Sequence, residues 1–289
     1  MASREVALDQ ARTPAPTLPR KRGRGKKASA LTFAFLVLFT PVMARADTVT
    51  LFAAGSLKGA LTEMAKAYES KSGHKVAMKF GPSGLLKNEI ADGGKADVFA
   101  SANMEHPEAL FDDGTGGPVV RFARNKMCAL VKPGLDVTGD TLLARMLDPK
   151  VKLGTSTPRV DPSGDYAVQV FTKAEALKPG AQDLLEKKAL QLTGGKSSAA
   201  PPAGRVVYGW HVDEGRADIF LTYCTNAQAA QKQYPAQQMV ELPEALSVAA
   251  DYGLTVISGA PTAAQEFVEF ILSADGQKIL ASYGFAPGD

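Results

Sequence analysis

Cysteine and histidine are scarce in this chain, with two Cys and three His in 289 residues. None of them stands at the spacing of a metal site. His74, His106 and His211 are scattered among polar segments and read as surface residues. No phosphate-binding loop and no dinucleotide fingerprint occurs, so nucleotide-dependent chemistry has no signature here. The turn Gly55-Ser56-Leu57 lacks the second glycine of a nucleophile elbow, and no His follows at a position that pairs with it. There is no internal repeat. The apolar run from Ala28 to Val42 falls short of the roughly 20 residues that a membrane-spanning helix needs.

What is present begins with a leader. Arg20, Lys21, Arg22, Arg24, Lys26 and Lys27 precede that apolar run, and Ala44-Arg45-Ala46 follows it as a small-x-small cleavage pattern. Residues 1–46 are therefore expected to be a cleaved signal peptide. No Cys stands at the cleavage point to carry a lipid anchor. The leader changes the charge balance. Nine of the 33 Lys/Arg and two of the 30 Asp/Glu lie within it, so the formal +3 becomes about −4 for the remainder. A mildly acidic exported protein is not a nucleic-acid binder by composition. Any anion it captures is held by local donors, not drawn in by net charge.

The chain after the leader alternates strands and helices. Val49, Leu51 and Ala53 mark a first strand, and Leu57, Ala60, Leu61, Met64, Ala65 and Tyr68 recur at helical spacing. Strands are predicted over Lys75 to Phe80, Ala96 to Ala100, Met127 to Val131, Val151 to Gly154 and Ala217 to Tyr223. A helix is expected to begin near Tyr166, and a helix pair to run from Ala263 to Phe285. Residues 194–204 (GGKSSAAPPAG) form a loop. This order is that of parallel sheets covered by helices. Cys128 lies within one apolar strand and Cys224 at the end of another. An exported compartment permits a bond between them, while spacing alone leaves the pairing open.

Four predicted strand ends are rich in Gly, Ser or Tyr and poor in charge: Gly55-Ser56, Pro82-Ser83-Gly84, Ser163-Gly164 and Tyr223-Cys224-Thr225. Ligands of open α/β sheets bind beyond such ends. Ser56 is read as an N-cap, where helix N–H groups lack internal partners. Hydroxyls and free N–H groups at helix starts form an anion site. Neutral donors suit a fully ionised oxyanion such as molybdate, tungstate or sulfate, whereas a monohydrogen phosphate wants a carboxylate acceptor. Asp165 is the nearby acid of which that question is asked.

These motifs, with Ala96-Asp97-Val98-Phe99-Ala100-Ser101-Ala102, Asp161-Pro162 before Gly164 and Tyr166-Ala167, and the ending Ser282-Tyr283-Gly284-Phe285, resemble the periplasmic molybdate-binding proteins of ABC transporters. The resemblance spans essentially all of the mature chain. It implies a two-lobed periplasmic-binding-protein fold of type II, each lobe a mostly parallel sheet flanked by helices, joined by a two-segment hinge. Lobe I is expected at 47–122 plus 247–289, and lobe II at 123–246. Ser56 and Ser83 would each give a hydroxyl and an N–H from the first lobe. Ser163 would give an N–H from the second, with a hydroxyl that departs from the pattern, and Tyr223 its phenol. Counting back from Tyr223 puts a remaining helix-start N–H near Arg205. The implied ligand is molybdate or tungstate, with no cofactor and no side chain bound directly to metal. The implied partner is a membrane permease, and the binding protein is a periplasmic monomer. Alternatives are a binding protein for sulfate or an organic acid, and a periplasmic hydrolase.

Overall fold

A computed structural model describes residues 46–288. The expected leader lies outside the described residues, apart from Ala46. The strand β1 (Thr48–Ala54) passes through a 3-10 turn at Gly55–Leu57 into α1 (Lys58–Ser72), followed by β2 (Lys75–Gly81), α2 (Ser83–Ala91), β3 (Val98–Ala100) and α3 (Glu105–Asp112). Next come β4 (Val120–Val131), α4 (Gly139–Leu147), β5 (Leu153–Ser156), α5 (Pro162–Leu177), α6 (Ala181–Lys188) and β6 (Leu190–Thr193). The chain continues through α7 (Val207–Asp213), β7 (Ile219–Tyr223), α8 (Cys224–Gln233) and β8 (Gln238–Glu241). It closes with β9 (Ala249–Val256), α9 (Thr262–Leu272), α10 (Ala274–Ser282) and β10 (Ala286–Pro287).

The apolar stripe of α1 is the one its periodicity announces: Ala60, Leu61, Met64, Ala65 and Tyr68 are all buried. The helix ends where Gly73 takes a φ of 79°, a left-handed conformation that costs glycine no Cβ clash.

The strand order β2-β1-β3-β9-β4-β7-β5-β6 builds two lobes through shared strands. In one, β1 pairs in parallel with β2 and β3; in the other, β5 pairs in parallel with β6 and β7. Antiparallel strands join these parallel cores. The first part of β4, Val120 to Lys126, pairs with β9, while Met127 to Val131 pairs with β7. A single strand thus belongs to both halves of the fold. Phe122, Tyr252 and Phe267, all but fully buried, pack in the same apolar core as Leu51 and Leu57. Among the described residues no helix is long and apolar enough to cross a membrane.

Three local readings change. Ser56 caps nothing: it sits inside the 3-10 turn, and neither that turn nor α1 has a side-chain cap. The tight turn supplies the backbone geometry that a hydroxyl cap would otherwise enforce. Helix α5 starts four residues earlier than Tyr166, because Asp161 accepts the Ser163 N–H and Pro162 takes the first helical position, where its missing N–H costs nothing. His211 is buried, 1% exposed, between Trp210 and Phe220. The polar neighbours that suggested a surface position lie on the other face of α7. Cys128 and Cys224 form a disulfide, with Cα atoms 4.8 Å apart.

Candidate anion-binding site

The candidate donors stand at the carboxyl ends of the parallel strands. Ser56 follows β1, Ser83 opens α2 after β2, Ser163 lies in the first turn of α5 after β5, and Tyr223 is the last residue of β7. Strand-to-helix turns put them there, since each parallel strand delivers the chain to the same edge before the helix turns back.

Ser56 Oγ lies 3.0 Å from the hydroxyl of Tyr252, which comes from β9. Asn125 of β4 donates through Nδ2 to Thr225 Oγ1 at 2.9 Å and to Tyr252 Oη at 3.4 Å. The rings of Tyr252 and Tyr223 meet edge to face with centroids 5.6 Å apart, and Tyr223 meets Tyr166 in the same manner at 6.1 Å. Ser56 and Tyr223 are therefore joined through Tyr252, although 167 positions separate them in the chain.

Ser83 is buried, and its Oγ accepts the Ala102 N–H at 3.1 Å. The next residue makes the contact with the α5 turn: Gly84 N–H donates to the Val160 carbonyl at 3.0 Å. A Cβ on Gly84 would stand 2.7 Å from that same oxygen, so only glycine allows this approach. Ser163 and Tyr223 are buried, 0% and 1% exposed, and neither hydroxyl has a protein partner. The nearby Ser156 hydroxyl is likewise unpartnered. A buried hydroxyl without a partner costs about 1–3 kcal/mol, and a native fold retains one where a ligand or water completes it.

The phenols are kept as donors. Burial pushes Tyr223 well above the ordinary phenol range, and Tyr252, Asp161, Tyr166 and Tyr208 add to it. Burial likewise raises Tyr166, Tyr208 and Tyr252. Asp161 is raised to about 6, first by desolvation, with the Ser163 N–H opposing. This carboxyl, and not that of Asp165, bonds a candidate site residue, Ser163. Asp165 is spent on the turn, accepting the Arg159 N–H at 2.6 Å where Arg159 has a φ of 65°.

Arg205 is not brought to the cluster. Its N–H donates to the Pro202 carbonyl at 3.1 Å, and its guanidinium lies over the Tyr234 ring, 5.4 Å from the centroid. Helix α7 starts two residues later, at Val207. The Ser163 N–H, expected as a ligand donor, is engaged by Asp161 Oδ1 at 3.2 Å, which leaves its hydroxyl as the free group. Tyr252 and Asn125 carried no local signal, because they belong to the crossing strands. Asp161 did carry one, an acidic residue before Pro at a helix start. Among the described residues no group of three His, Cys, Asp or Glu is placed to hold a metal ion.

Known proteins share this chain's sequence pattern and fold. The chain is 33% identical over 241 residues to an uncharacterised protein of Pasteurella multocida, an alignment covering 83% of this chain and 98% of that one. It is 26% identical over 254 residues to the molybdate-binding protein ModA of Mycobacterium tuberculosis H37Rv, with 83% and 85% covered. Among solved structures it is similar in fold to the sulfate-binding protein SubI of M. tuberculosis H37Rv, with a TM-score of 0.69 at 19% identity over 84% of this chain and 88% of that one. The family model for bacterial extracellular solute-binding proteins matches residues 49–286. The chain belongs to that family of bacterial extracellular solute-binding proteins.

Proposed function

We propose that this protein is exported to the periplasm, captures a tetrahedral oxyanion, molybdate or tungstate, between its two lobes, and delivers it to the membrane permease of an ABC importer. The observation that carries this reading is the pair of buried hydroxyls without protein partners, Ser163 Oγ and Tyr223 Oη, set near the Ser56 and Ser83 turns. Lobe I then comprises 47–122 with 247–289, and lobe II 123–246, with Ser56 and Ser83 on the first and Ser163 and Tyr223 on the second. The anion favours the closed arrangement because only there do donors from both lobes reach it. The protein works as a monomer and performs no catalysis. Serine and tyrosine hydroxyls hydrogen-bond the oxygens of the anion; they do not coordinate its metal. Selectivity against sulfate, which presents the same charge and acceptors, comes from cavity size.

The test is a thermal and calorimetric titration with molybdate, tungstate, sulfate and phosphate. Ligand at a hundredfold over Kd adds about 2.7 kcal/mol to the stability of the folded state. Stabilisation by molybdate or tungstate above that by sulfate supports the reading. No shift with either at millimolar concentration overturns it.

A further inference from the structure

Asp161 is bonded to Ser163, the residue whose hydroxyl is left free for a negative ligand. Its Oδ1 accepts the Ser163 N–H at 3.2 Å. Its other oxygen lies against Gly194, where a Cβ would stand 2.7 Å from Oδ2 and φ is 83°, so the loop is kept bare to make room for the carboxyl. The groups near it are the Ser156 hydroxyl and the Ser163 N–H, with Tyr208 from α7, Tyr223 from the end of β7 and Asp165 further along α5 close enough to feel its charge. None of these is a cation. A fully ionised dianion held by Ser163 and Tyr223 therefore meets a second negative group among the same donors, and like charges in a buried site repel strongly. One proton removes the conflict.

Resting on the oxyanion reading above, we propose that Asp161 is a specificity-determining residue that makes the site take its anion together with one proton, held between the carboxyl and a ligand oxygen. A hydroxyl-bearing oxyanion such as hydrogen phosphate brings that proton with it. A fully ionised one such as molybdate binds as one proton passes from water to the Asp161 carboxylate, so that mass and charge balance as anion plus proton plus carboxylate. The burial that holds Asp161 at about 6 places this uptake close to neutral pH.

The experiment measures Kd for molybdate at pH 5.5 and pH 8, and for inorganic phosphate at pH 8. It compares the wild-type protein with Asp161→Asn and Asp161→Ser, both of which keep an oxygen to cap the Ser163 N–H. Wild-type affinity for molybdate is expected to fall on the order of fiftyfold between the two pH values, as linkage to one group titrating near 6 requires. In both variants that dependence disappears, and at pH 8 the preference shifts from hydrogen phosphate toward molybdate by at least tenfold. Wild-type binding that is independent of pH, with an unchanged preference in the variants, overturns the proton-sharing role and leaves the oxyanion reading standing. Binding of neither anion by the wild-type protein at either pH overturns the oxyanion reading itself, and this proposal with it.

Discussion

Replacing Tyr223 by Phe tests the site through two observables that move in opposite directions. The Tyr223 ring packs edge to face against Tyr252 and Tyr166, and a phenyl ring keeps both contacts. What is lost is a hydroxyl that is buried and has no protein partner. Removing such a group relieves the fold of a desolvation cost of about 1–2 kcal/mol. For a domain of this size that raises Tm by roughly 2–4 °C per kcal/mol. The anion, in contrast, loses a charge-assisted hydrogen bond worth about 1.5–3 kcal/mol, which weakens binding about 10- to 150-fold. Differential scanning calorimetry without ligand reads the first effect, and isothermal titration reads the second. A variant that melts lower than wild type and binds equally well would show that the hydroxyl is structural and the reasoning wrong.

Other consequences follow from the same geometry. Gly84→Ala sets a Cβ 2.7 Å from the Val160 carbonyl and is expected to weaken anion binding at least tenfold while shifting the unliganded Tm by no more than a few degrees, as titration and melting will show. The Cys128–Cys224 bond closes a loop with a sequence separation of 96, so its reduction is expected to lower stability by about 2–5 kcal/mol in urea denaturation, and the unfolded, unreduced protein is expected to show no free thiol. Asp161 has a folded pKa near 6, raised above its unfolded value. Its contribution is thus fully present below about pH 4 and lost as pH rises through 6. Asp161→Asn is accordingly expected to be more stable than wild type by up to about 3 kcal/mol at pH 8, with the gap closing toward pH 4 in paired melts.

Much of the fold was legible because its signals are local. The stripe of α1, the small-residue turns after β1 and β2 and the irregular 194–204 segment each follow from a few neighbouring side chains. The positions of Ser56, Ser83, Ser163 and Tyr223 at strand ends and helix starts were legible for the same reason, since local turns set them. Arg205 was misplaced because the polar loop before α7 delays the helix to Val207. Tyr252 and Asn125 were out of reach because their place depends on β4 and β9 pairing 130 residues apart, a register that no local pattern encodes. Asp161 was read as part of a motif, but that its carboxyl takes the Ser163 N–H while Asp165 serves the Arg159 turn is a matter of packing.

The shared strand β4 also determines where leverage acts. It changes partners between Lys126, which faces Ala249, and Met127, which faces Tyr223. In the proposed closure, a rotation of one lobe against the other would pivot at that junction. Asn125 straps it, gripping Thr225 on one side and Tyr252 on the other. Groups beside a pivot travel little, so Tyr223 and Tyr252 would form a nearly stationary floor of the proposed site. In the proposed closure, the donors beside the junction would hold their places while the two lobes turn about them.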